Sequence, residues 1–155
     1  MYSNILVPLD GSDLAEKALP YAVNLAKSEG GKVHLVHVFT SHPEGVVSVG
    51  GLEQDLSMAQ VNELSRQLQE ANISQLQQYL DHTASNLQRD GIGTKTALLE
   101  GSAHEELVNY AKQNDVEVVT ICSHGRGGLQ RMLIGSVADK IIRSGEIPVL
   151  VIPGS

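Results

Sequence analysis

"VEVVTICSHGRGGLQRMLIGS", residues Val116 to Ser136, joins a short β-branched run to a segment holding four of the chain's fifteen glycines. The run Val116 to Cys122, bounded by turn-forming residues, has the length and composition of a buried strand. The segment after it is unusually bare backbone. Gly125, Gly127 and Gly128 let a loop take positive φ and bring its amides close to an anion without interference from Cβ. Gly135 and Ser136 then open a helix, whose free N–H groups face the same way. With the Ser136 hydroxyl as a donor and Arg126 and Arg131 as charges, these residues suit a polyphosphate cradle; a long turn with a helix cap uses the same residue types. The stretch is not a P-loop, since no Lys-Ser or Lys-Thr pair follows a suitable glycine, and it is not G-x-G-x-x-G, because Gln130 stands at the third glycine.

Outward from this segment, strand-like and helical patterns alternate along the whole chain. "NILVPL" (Asn4 to Leu9) reads as a first strand, and Ser12 as the cap of a helix with apolar positions Leu14, Ala18, Ala22 and Leu25, ended by "EGG" at Glu29 to Gly31. Pro20 inside that helix predicts a kink. "KVHLVHVF" (Lys32 to Phe39) is a second strand, and Thr40 to Asp55, without a clear period, reads as a loop. A Gln-rich helical pattern from Ser57 to Asp90 would be about 50 Å long if continuous, so a bend or break is expected near Asn72.

"TKTALLE" (Thr94 to Glu100) is a third strand, and the preceding "GIGTKT" reads as a helix end and strand start rather than a phosphate loop. "SAHE" (Ser102 to Glu105) predicts a capping box opening a helix to Asn114. After the fourth strand and the glycine-rich segment, a last helix runs from Ser136 to a glycine stop at Gly145, and "IPVLVI" (Ile147 to Ile152) closes the series. Five strands separated by helix-length crossovers imply a parallel sheet with right-handed connections, a three-layer α/β sandwich. In such sheets ligands bind at the carboxyl ends of strands where the strand order reverses. The glycine-rich segment lies at that end of the fourth strand, and "PLDGS" (Pro8 to Ser12) at that of the first.

Composition narrows the functions. The chain's 155 residues fit one domain spanning 1–155, and no apolar stretch reaches the roughly 20 residues of a membrane span. The first residues lack the basic region of an export signal, which points to the cytoplasm. A single cysteine, Cys122, excludes an internal disulfide and a cysteine-cluster metal site. A net charge of −7 argues against nucleic acid or an anionic membrane as partner. Between His124 and Arg143, however, four basic residues face only Asp139, a local +3 in a chain whose remainder carries −10.

"ILVPLDGS", "HLVHVF", "EGSAHEEL" and "SHGRGGLQRMLIGSVADKIIRSGEIPVLVIP" resemble, in the same order and over essentially the whole chain, the universal stress protein family. The resemblance implies an α/β fold with strand order 3-2-1-4-5, in which the first and fourth strands are neighbours. It also implies the family's ATP-binding branch, through a motif similar to G-x2-G-x9-G-[ST] read at Cys122, Gly125, Gly135 and Ser136, with Cys122 replacing the first glycine. Carried over by position, Asp10 accepts ribose hydroxyls, Pro8, Val38 and Ile121 surround adenine, and Gly125, Arg126, Gly128, Gly135, Ser136 and Val137 surround the phosphates. Val38 and Ile121 also suit the sheet core, and Asp10 suits a turn before a helix.

Asp10 and Asp13 do not make a metal site of their own, although ATP can bring Mg²⁺. Ser123, His124 and Asp10 do not read as a hydrolytic triad, because adjacent strand-end residues point apart. The reading is therefore an ATP-binding stress or regulatory protein that needs no turnover, forming a homodimer through Ile147 to Ile152, as the resemblance implies. A slow ATP hydrolase or phosphotransferase, and an interaction module that binds no nucleotide, stand as alternatives. At Cys122 two roles are open: a small buried strand-end residue, or a redox-sensitive thiolate favoured by helix-terminal amides and Arg126.

Overall fold

The computed structural model describes residues 2–41, 57–123 and 135–154. In chain order the elements are β1 (Asn4–Pro8), α1 (Asp13–Glu16), α2 (Leu19–Glu29), β2 (Lys32–Phe39), α3 (Met58–Arg89), β3 (Gly93–Glu100), α4 (Ala103–Gln113), β4 (Val118–Cys122), α5 (Ser136–Ser144) and β5 (Val149–Ile152). All strand pairings are parallel, and the sheet order is β3-β2-β1-β4-β5, as the resemblance implied. β1 is central: Leu6 sits opposite His34 of β2 and Val119 of β4, and Ile5, Leu6 and Val7 are all fully buried. A strand covered on both faces reads as an unbroken apolar run, which is what "NILVPL" showed.

Side-chain alternation divides the sheet's two faces into separate cores. One joins Ile5, Val7, Val33 and Leu35 to Ala18, Ala22 and Ala26 beside α2 and to Leu80 and Ala84 of α3. The other joins Leu6, Val36 and Val119 to Leu107, Val108 and Ala111 of α4 and Ile141 of α5. Helices on both faces make the three layers.

Several expectations change in detail. Pro20 does not kink one helix; it lies in the first turn of a second one, α2, after α1 has ended at Glu16. At that position no intrahelical N–H partner is required, so the missing donor costs nothing. The predicted break near Asn72 is absent, and α3 is a single 32-residue helix. It contains neither glycine nor proline, starts with a complete Ser57/Gln60 capping box, and carries a Glu63–Arg66–Glu70 ion-pair run on its exposed first half. Leu80, Thr83 and Ala84 anchor only its second half.

The "SAHE" capping box is also absent. Ser102 occupies the N-cap of α4, but its hydroxyl lies 3.2 Å from His104 Nδ1 instead of on a helix N–H. Gly91, at φ 80, ends α3 and leads into β3, which bears out the structural reading of "GIGTKT". The last helix stops at Gly145, at φ 64, as expected. The predicted loop lies outside the described residues for positions 42–55.

Candidate functional site

The strand order reverses between β1 and β4: from β1 the chain proceeds outward to β2 and β3, whereas β4 and β5 lie on the other side. Two divergent carboxyl ends leave a crevice, and a cleft of about 190 Å³ opens there. Pro8, Val38 and Ile121 contribute its apolar strand-end surface, Asp10 and Ser12 its acidic rim, and Gly135, Ser136 and Val137 the start of α5. Cys122 lines it as well. Thus eight of the sequence-predicted site residues, Pro8, Asp10, Val38, Ile121, Cys122, Gly135, Ser136 and Val137, meet at one cleft although they span most of the chain. The other three, Gly125, Arg126 and Gly128, lie outside the described residues, as do Arg131 and His124.

The rim is held by a short chain of hydrogen bonds. Asp10 Oδ1 accepts from the Ser12 amide at 2.9 Å and from the Ser12 hydroxyl at 2.5 Å. Ser12 Oγ in turn accepts from the Ala15 amide at 3.1 Å, so the residue that orients Asp10 also caps α1. Gly11 between them sits at φ 84, a backbone conformation that an L side chain would strain. Burial works against the charged Asp10, but the Ser12 hydroxyl and amide outweigh it and hold the carboxyl below its ordinary range, with a smaller pull from His37. The rim therefore presents an ionised carboxylate at neutral pH.

At the same cleft, among the described residues, α5 starts with no side-chain cap on its first N–H groups, Gly135 being the N-cap at φ −57. Any residue tolerates that φ, so glycine at 135 is not required by backbone conformation; what it offers is the absence of a side chain at the cleft. Arg143 pairs with Asp139 at 2.8 Å, so one of the basic residues counted in the local +3 is already neutralised in place.

Of the two roles open at Cys122, the thiolate draws in part on Arg126, which lies outside the described residues. Cys122 is buried, and burial pushes its thiol up from the ordinary value, with Lys17 pulling only partly the other way. Desolvation disfavours the charged sulfur, so the structure supports the small buried strand-end residue. Among the described residues no group of three or more His, Cys, Asp or Glu side chains could hold a metal ion, and no helix is long and apolar enough to cross a membrane.

Sequence reasoning missed part of the lining. Ala103 and Leu107 of α4 reach the cleft because α4 starts directly after β3, and Leu14 and Ala15 reach it from α1. The signal for them lay in "EGSAHEEL" and "DGSDLA", each a strand end followed by a helix start, which places the first helical turn at the carboxyl edge of the sheet.

Fold and cleft together define an open, doubly wound parallel α/β protein with its crevice at the switch point. The chain belongs to the universal stress protein family, whose model matches residues 1–153. It is 29% identical to universal stress protein YxiE of Bacillus subtilis over 98% of this chain and 99% of that one. It is also 29% identical to universal stress protein MJ0577 of Methanocaldococcus jannaschii, over 98% and 95% of the two chains. The solved structure of MJ0577 superposes with a TM-score of 0.74 at 27% identity, covering 99% of this chain and 96% of the other. A universal stress protein of Archaeoglobus fulgidus, solved in complex with dAMP, shares the fold with a TM-score of 0.62 at 22% identity, over 97% of both chains.

Proposed function

We propose that this protein binds ATP at the β1/β4 cleft and acts as a nucleotide-dependent member of its family, with the nucleotide as a signal or structural ligand. The observation that carries the reading is the cleft's division of labour. One wall is apolar, from Pro8, Val38 and Ile121; one rim is an ionised acceptor, Asp10; and the cleft also holds a helix start, at Gly135 and Ser136, whose N–H groups have no side-chain cap among the described residues. Adenine takes the apolar wall, the ribose hydroxyls donate to Asp10, and phosphates take the α5 N-terminus, where the helix dipole and free amides favour negative charge. Gly125, Arg126 and Gly128 complete the phosphate side in this reading. Any Mg²⁺ comes with the phosphates. The dAMP complex of the Archaeoglobus fulgidus relative supports an adenine nucleotide as the ligand class.

Binding requires no turnover, and the cleft's described side chains supply no base poised to activate water. The protein acts as a homodimer in this proposal: among the described residues β5 is an edge strand, with Val149, Leu150 and Val151 only partly buried, and such an apolar edge is completed by a second copy of itself. Calorimetry with ATP, ADP and GTP tests the ligand assignment. Adenine nucleotides should bind more tightly, because an apolar slot offers no acceptor for the guanine amino group. Equal or inverted affinities overturn the adenine assignment, and mass spectrometry of small molecules released from denatured protein checks it without added ligand.

A further inference from the structure

His37 lies at the carboxyl end of β2, outside the cleft lining, and its ring makes a bond with a specific consequence. The β1–β2 register ends at Pro8 opposite Val36, and one further backbone bond, from the Leu9 amide to the Val36 carbonyl at 2.8 Å, extends it. Past that point β1 leaves the sheet, and the Leu9 carbonyl is met by His37 Nδ1 at 2.6 Å. A carbonyl can only accept, so Nδ1 carries the hydrogen of this bond. Leu9 immediately precedes Asp10. A half-buried side chain from the neighbouring strand thus clamps the last peptide before the acidic rim, while Ser12 clamps the carboxylate from the other side.

We propose that His37 is a positioning residue for Asp10: its Nδ1–H bond to the Leu9 carbonyl fixes where the Asp10 carboxylate stands and thereby sets recognition of the ligand's ribose hydroxyls. This rests on the nucleotide reading of the cleft. Without the clamp, the peptide between Leu9 and Asp10 is free to rotate away from β2, and the carboxylate loses its fixed distance from the apolar wall. The Ser12 bonds tie the carboxylate to the start of α1, but they do not hold the Leu9–Asp10 peptide against β2. His37 acts on the ribose hydroxyls only through Asp10, so its effect is confined to ligands that carry them.

The test measures ATP and 2′,3′-dideoxy-ATP affinities for the wild type, His37→Leu and His37→Asn. Leucine removes the donor, whereas the asparagine amide nitrogen can take the place of Nδ1. His37→Leu should weaken ATP by about five- to tenfold, the worth of one hydrogen bond, and leave dideoxy-ATP unchanged; His37→Asn should retain most of the ATP affinity. A ¹⁵N–¹H correlation spectrum of the histidine rings in the wild-type protein should show His37 as the Nδ1–H tautomer. Equal losses for the two ligands, unchanged ATP binding by His37→Leu, or an Nε2–H tautomer each overturn the positioning role. Should the leucine variant fail to fold, the tautomer and the asparagine variant still decide. If the wild type binds both ligands equally, ribose recognition by Asp10 falls, and His37's role with it; if it binds neither, the nucleotide reading itself falls.

Discussion

His34 should make this protein begin to lose stability in mild acid, at a pH above the range where carboxylates titrate. It is fully buried in β2, with Nδ1 at 3.0 Å from the Tyr110 hydroxyl of α4 and Nε2 at 3.3 Å from Asn4 Oδ1 of β1. An amide oxygen only accepts, so Nε2 carries the hydrogen and Tyr110 donates to Nδ1. The two rings meet edge-on, 5.8 Å apart at 73°. Burial, and then Lys95 of β3 and Lys32 of β2, push the imidazole down from 6.5 to about 4. Protonation would place a cation beside two lysines and oblige the Tyr110 hydroxyl to reverse.

The folded value lies below the unfolded one, so the unfolded chain binds the proton first as pH falls. The stabilisation is complete above pH 6.5 and is lost progressively down to about pH 4. A difference of roughly 2.5 pH units corresponds to at most about 3 kcal/mol, a large share of the ~5–15 kcal/mol of a typical domain. Urea unfolding of the wild type and His34→Leu at pH 7.5, 6.5, 5.5 and 4.5 measures it. The variant, with Tyr110 and Asn4 unpaired, should start about 1–3 kcal/mol less stable, and the gap should close as the pH falls. Parallel stability profiles for the two proteins, or a His34 ring that titrates near 6.5 by NMR, would refute the reasoning.

Gly135→Val should abolish ATP binding while leaving a native circular dichroism spectrum, because φ −57 suits valine and only the approach of a ligand to the α5 N-terminus is blocked; unchanged affinity would reduce the segment to a turn. The protein should run as a dimer by light scattering at micromolar concentration, and Val151→Lys, placing a charge on the partly buried edge strand β5, should yield monomers. Cys122 should react with a thiol reagent at least about tenfold more slowly in the native protein than in urea, because its buried thiol resists ionisation; fast native labelling that ATP suppresses would restore the redox-sensitive thiolate.

Where local chemistry decides, the sequence suffices. β2 runs over the stretch its β-branched pattern marks, Lys32–Phe39, and α5 starts at Ser136 and stops at Gly145, because a helix start and a positive-φ glycine stop are encoded within a turn of the residue concerned. The strand order did not come from any such pattern; it came with the family resemblance. Pairing β1 with β4 puts Leu6 beside Val119, more than a hundred residues on, and the energy of that contact comes from burying both faces of β1. The cleft exists only once that pairing is made.

The corrections come from local competition as well as from tertiary packing. Ser102 gives up its capping bond to His104, and α3 stays whole because its second half is anchored on the sheet while nothing in its first half interrupts the helix. His34 and His37 show the same division within a single strand. Period-2 alternation sends them to opposite faces, which the sequence determines. That one meets Tyr110, 76 residues away, and the other the carbonyl before Asp10 was decided by the packing of α4 and by the point where β1 leaves the sheet, since a side chain's hydrogen-bond partner depends on which strands and helices the fold brings to it.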